Sequence, residues 1–194
     1  MILPIVAYGD PVLKKMGEEI DRDYPGLQEL IGNMFETMYN AKGVGLAAPQ
    51  VGKAIRLFVV DAIPFADDED EEMDEKEIEF LRKFKKVFIN ARILNEDGED
   101  WKFNEGCLSI PKIREDVMRP PHIELAYLDE DFKEHVETFT GMAARIIQHE
   151  YDHIDGMLFT DRISPLRKRL IKGKLTDISN GKVKTDYKMR FPRK

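Results

Sequence analysis

The residues best suited to chemistry fall in one short run, Gln148-His149-Glu150-Tyr151-Asp152-His153. Histidines four positions apart lie one above the other on a helix, so both imidazoles can face a single cation. Glu150 then sits roughly 60° around the axis from His153, within reach of the outer surface of that cation. Ala143, Ala144, Ile146 and Ile147 come just before and argue for a buried helix. Unpartnered imidazoles and a carboxylate are costly to desolvate in such a place. A bound metal removes that cost.

A catalytic metal site ordinarily takes three protein ligands and keeps a fourth position open. His122, His135 and Cys107 are the candidates for the third. Both histidines belong to a stretch that reads as a surface hairpin, where a histidine needs no special partner. Cys107 is the only cysteine, so an internal disulfide is excluded. It stands in Glu105-Gly106-Cys107-Leu108-Ser109-Ile110-Pro111, where Gly106 permits close backbone approach. Thiolate is a good ligand for transition metals, and the metal itself keeps the sulfur deprotonated. Cys107 is therefore read as the third ligand. Such a donor set admits zinc, iron, nickel or cobalt, with zinc bound more tightly than ferrous iron.

Several elements must hold these groups in place. Leu27, Leu30, Ile31, Met34 and Met38 form one apolar stripe and predict a helix over residues 25–42, with Pro25 early in it and Gly43 as its stop. Residues 43–52 are too rich in glycine and proline for a regular element. Strands are expected over 56–61 and 87–94. Ile123, Leu125 and Tyr127 alternate with polar or small neighbours as in a half-buried strand, and a turn at 129–131 leads to a partner over 133–139. A second helix spans 141–155, with Thr140 as N-cap and Gly156 as stop. Strands gathered between helices without βαβ alternation give an α+β class.

The chain has 194 residues, enough for one domain with a substantial core. No apolar run is long enough to cross a bilayer, and the start lacks the basic region of a secretion signal, so a cytosolic protein is expected. The net charge of −7 hides two opposed regions. Residues 67–77 hold nine acids and one lysine, inside a stretch over 62–86 that reads as a solvated, mobile insertion with a short helix near 77–83. From Arg162 onward, twelve Lys or Arg stand against Asp177 and Asp186. This basic extension over 162–194 begins as a helix at about 167–174 and is either a solvated tail or a functional one.

Three motifs occur in order: Gly43-Val44-Gly45-Leu46-Ala47-Ala48-Pro49-Gln50, Glu105-Gly106-Cys107-Leu108-Ser109, and the histidine run. Together they resemble the bacterial-type peptide deformylases, from Tyr8-Gly9-Asp10-Pro11 to about Phe159. The resemblance implies small, mostly antiparallel sheets around the helix that carries the histidines. It implies a divalent metal, natively ferrous iron, on Cys107, His149 and His153, with water as nucleophile and Glu150 as general base and acid. Gln50 and the N–H of Leu108 would hold the reacting carbonyl oxygen, the backbone of Gly45 would pair with the peptide, and Arg114 would lie near its path. Val44, Phe103, Met142 and Ile146 flank the motifs and are candidates for the methionine pocket; Glu105 and Gly106 are placed on the substrate side as well. The substrates implied are N-formylmethionyl nascent peptides. Those emerge from ribosomes, whose RNA attracts cations, so the basic extension is a candidate for ribosome association. No membrane and no sequence-specific nucleic acid partner is expected. The acidic insertion departs from shorter family members. A zinc endopeptidase and a non-catalytic metal-binding module are the rival readings.

Overall fold

The computed structural model describes residues 1–67 and 73–192. In chain order its regular elements begin with β1 (Ile5–Val6), α1 (Leu27–Asn40), β2 (Gly45–Ala47), β3 (Leu57–Asp61), α2 (Ile63–Ala66), α3 (Glu75–Leu81) and β4 (Lys85–Asp97). They continue with β5 (Trp101–Cys107), β6 (Ile110–Arg119), β7 (His122–Leu128), β8 (Glu134–Thr140), α4 (Gly141–Ile154), α5 (Pro165–Ser179) and β9 (Met189–Arg190). The central sheet is antiparallel, in the order β2-β3-β4-β7-β8. β5 pairs with β6 in a separate hairpin, and β1 pairs with β9 in parallel. This is the α+β arrangement expected, with α4 packed on the sheet.

The apolar stripe of α1 is buried as its spacing requires. Its ends differ from the sequence reading. Gly26 takes a left-handed φ of 69° as N-cap, which leaves Pro25 outside the helix. At the other end Lys42 adopts φ 56°, and the Gly43 N–H reaches back to the Met38 carbonyl at 2.9 Å. A lysine, not the glycine, makes the turn.

The glycine- and proline-rich stretch is more regular than expected. Gly45, Leu46 and Ala47 pair with Val60, Val59 and Phe58 as a short edge strand, followed by a 3-10 turn over Ala48–Val51. An edge strand of this length tolerates glycine because its pairing comes from β3.

The acidic stretch differs in part: the short helix expected near 77–83 is present as α3, but its flanks are not free. α2 precedes it, and Leu81 at the end of α3 and Phe84 beyond it are buried, with Phe84 edge-on to Phe139 at 5.7 Å. The apolar residues scattered among the acids fasten both flanks to the core. The expected mobile part at 68–72 lies outside the described residues.

The β5–β6 hairpin has little apolar alternation in its sequence because two of the inward positions of β6 are Glu115 and Arg119, both buried. The basic extension is folded. Ser164 caps α5 through its hydroxyl oxygen, and Ile171, Leu175 and Ile178 bury one face. The chain then doubles back, and the N–H groups of Ile5 and Ala7 donate to the carbonyls of Lys188 and Arg190, each at 2.9 Å.

Candidate metal centre

α4 runs buried through the core and presents His149, Glu150 and His153 on adjoining turns. The β5–β6 hairpin delivers Cys107 to them from 46 residues before His153. The Cys107 Sγ lies 3.4 Å from Nε2 of His153. One donor atom from each of Cys107, His149 and His153 lies within 4.8 Å of the other two. Ligands of a tetrahedral thiolate and imidazole site stand roughly 3.5 Å apart, so the cluster fits a single first-row ion.

The back of this cluster is an ion-pair network. His149 Nδ1 lies 2.9 Å from Glu105 Oε2. An ionised carboxylate only accepts, so Nδ1 carries the proton and Nε2 is left for a metal. Burial raises the Glu105 carboxyl, but His149 and Arg119 outweigh it and hold the group well below the usual carboxylate range. Arg119 donates to Glu105 at 2.7 and 3.0 Å and to Asp152 at 2.8 Å. Arg145 donates to Glu105 at 3.0 Å, and Arg162 grips Asp152 through two bonds of 2.6 Å. Arg119 and Glu105 are 1% and 4% exposed, so each depends on the other for its charge.

The front is different. Glu150 is buried, and its Oε2 has no hydrogen-bond partner among the described residues. Burial pushes its carboxyl up to about 7. Its close approach to β2 explains Gly45: a Cβ there would come within 2.4 Å of Glu150 Oε1. Gln50 is held by its oxygen, which accepts from the Ala47 N–H at 2.9 Å. Its amide nitrogen then points across the cluster, 3.5 Å from Cys107 Sγ and 3.3 Å from Ser109 Oγ.

Above these groups opens a cavity of about 630 Å³. It is lined by Val44, Gly45, Gln50, Phe103, Glu105, Gly106, Cys107, Leu108, Arg114, Met142, Ile146, His149 and Glu150, every site residue named from the sequence except His153. His153 lies deeper, 1% exposed. Glu105 has both oxygens committed to His149 and the two arginines, so its contacts are those of a support for the ligand. His122 and His135 stay on the β7–β8 hairpin, paired with Asp97 and Asp129.

A model of the polypeptide deformylase family matches residues 2–169. The chain belongs to that family. A peptide deformylase from Christiangramia forsetii is 63% identical over 192 residues, covering 99% of this chain and 97% of the relative. One from Flavobacterium johnsoniae is 61% identical over 191 residues, covering 98% and 96%. Among solved structures, the deformylase of Thermus thermophilus superposes with a TM-score of 0.79 at 35% identity, covering 93% of this chain and 99% of that one. The chain is thus a metal-dependent deformylase with a Cys-His-His centre.

Several residues at the deformylase site escaped the sequence reading. Phe65 of α2 lines the cavity and meets Phe103 edge-on at 6.2 Å. Its apolar setting, Ile63-Pro64-Phe65, was visible ahead of the acids, but nothing tied it to the motifs. Thr140 makes no side-chain cap on α4; Glu77 does so instead, accepting from the Met142 N–H at 2.7 Å. The reason is steric and chemical together. Gly141 has φ 56° and leaves a space that a Cβ would fill, and the Glu77 carboxylate occupies it. Lys184, Thr185, Asp186 and Tyr187 of the basic extension also line the cavity. No local pattern could have placed them there.

Proposed function

We propose that the chain hydrolyses the formyl amide of N-formylmethionyl peptides as they are made, releasing formate and a free amino terminus. The observation that carries this reading is the buried Glu150 carboxylate, with one oxygen unpartnered, beside the Cys107, His149 and His153 cluster on the wall of a peptide-sized cavity. When bound, a divalent ion held by those three side chains makes water nucleophilic at neutral pH and polarises a carbonyl oxygen. Glu150 takes a proton from the attacking water as its oxygen bonds to the formyl carbon. Charge gathering on the carbonyl oxygen is met by the Gln50 amide and the Leu108 N–H. Glu150 returns the proton to the departing nitrogen as the carbon–nitrogen bond breaks.

Val44, Phe103, Met142 and Ile146 are assigned to the methionine side chain, joined by Phe65. Gly45 offers its backbone to the peptide, and Arg114 borders its exit. Ferrous iron is the native ion in this reading, with zinc, nickel or cobalt as replacements, because one thiolate and two imidazoles accept all four. Ribosome association in the cytosol is assigned to the exposed cations of α5. Arg169, Lys172 and Lys174 make no ion pair among the described residues, and RNA attracts such groups.

Release of free amine under anaerobic conditions, with formate measured alongside, tests the reading on three peptides: a formyl-methionyl tripeptide, its acetylated counterpart, and a longer peptide offering only internal amides. Turnover of the first alone is expected. Cleavage of the internal amide transfers the site to endopeptidase chemistry, and no turnover of any of them removes the assignment.

A further inference from the structure

The family match ends at residue 169, yet the chain beyond it reaches the site. After α5, Gly181 takes a left-handed φ of 73°, and the following segment crosses back toward the hairpin that carries Cys107. It is fastened at its far end by the pairing of β9 with β1. Arg190 adds contacts there: its guanidinium stands 3.6 Å from Asp10 and fills the space over Gly52, where a Cβ would meet it at 2.7 Å. Between these anchors, Lys184, Thr185, Asp186 and Tyr187 form part of the cavity wall.

One contact of this strap bears on the reaction. The Tyr187 hydroxyl donates to the Leu108 carbonyl at 2.8 Å. Leu108 lies in the tight connection between β5 and β6, directly after the ligand Cys107. The next carbonyl, that of Ser109, accepts from the Tyr8 N–H at 2.9 Å. The connection is therefore held from outside by two consecutive bonds, one from the N-terminal segment and one from the strap. Tyr187 and Leu108 both pack, partly buried, against one buried apolar cluster, so the hydroxyl is delivered by a packed ring. Burial raises its pKa well above the ordinary tyrosine value, which keeps it a donor.

We propose that Tyr187 is a positioning residue for deformylation: its hydroxyl, carried by the C-terminal strap, fixes Leu108 so that the Leu108 N–H stays aimed at the reacting oxygen. This rests on the oxyanion role given to Leu108 above. Preorganised donors act where charge develops in the transition state, so loosening one lowers turnover more than it weakens substrate binding.

Tyr187→Phe removes one oxygen and keeps the ring. With turnover counted per metal-loaded chain, kcat is expected to fall about three- to tenfold, the scale of one neutral hydrogen bond, while KM stays within about twofold. The visible spectrum of the cobalt(II)-loaded variant should match the parent, because the three ligands do not move. An unchanged kcat overturns the proposal, as does a loss that vanishes on correcting for metal content, a KM that rises with the loss, or an altered cobalt spectrum. The parent chain is assayed alongside. An inactive parent removes the proposed chemistry and this inference with it, whereas an active parent with an equally active variant removes only the role of Tyr187.

Discussion

The two sides of the metal centre contrast sharply in how their polar groups are satisfied. Behind it, Glu105, Arg119, Arg145, Asp152 and Arg162 form a closed set of charges in which each carboxylate meets at least two cationic partners. In front, Glu150 has an unpartnered oxygen and Gln50 turns its amide nitrogen toward the sulfur. Desolvated charge is tolerable when paired and costly when not. Among the described residues, the carboxylate of the centre that keeps an unpartnered oxygen, Glu150, is the one on the face that opens to the cavity. The back holds His149 through Glu105, and the front carries the groups to which the proposed reaction is assigned.

Removing a front group should spare the centre and abolish its work. Glu150→Ala is expected to keep one metal per chain while kcat falls on the order of 10²–10⁴, the range for a lost general base and acid. Metal analysis together with formate release checks both halves; full activity with metal bound would take Glu150 out of the mechanism. Removing a charge from the back should do the reverse. Glu105→Gln leaves an acceptor for His149 but weakens its hold, and metal affinity should fall about ten- to hundredfold in competition with a chelating dye. Unaltered affinity would reduce the network to a purely architectural part. The smallest effect is expected where the insertion touches α4. Glu77→Ala deletes the acceptor for the Met142 N–H, at about 1 kcal/mol, the usual cost of a lost helix cap. For a chain of this size that lowers the unfolding midpoint by about 2–4 °C, read by thermal denaturation of metal-saturated protein. No shift would show that the cap contributes nothing to stability.

How far these features could be read in advance depended on the distance over which they act. α1 and α4 were legible because their apolar positions repeat with the helical period, β7 because its apolar positions alternate, and β8 because a turn at 129–131 leads into it. The β5–β6 hairpin was not, since Glu115 and Arg119 occupy inward positions and mimic an exposed strand. α3 was half legible: its acids announced solvent, while Leu81 and the following Phe84 tied it to the core. The basic extension was the largest departure. Its charges describe a surface, but Ile171, Leu175 and Ile178 pin its helix, and Tyr187 ends beside Leu108, 79 residues earlier in the chain.

The spacing of His149, Glu150 and His153 already contained the chemistry, because helical geometry brings near neighbours together whatever the rest of the chain does. The backing of His149 by Glu105, the cap from Glu77, the wall from Phe65 and the bond from Tyr187 had no such local cause. Each joins residues that only the packed core brings within a few ångströms. Burial then decides which of their polar groups find partners and which remain free to react.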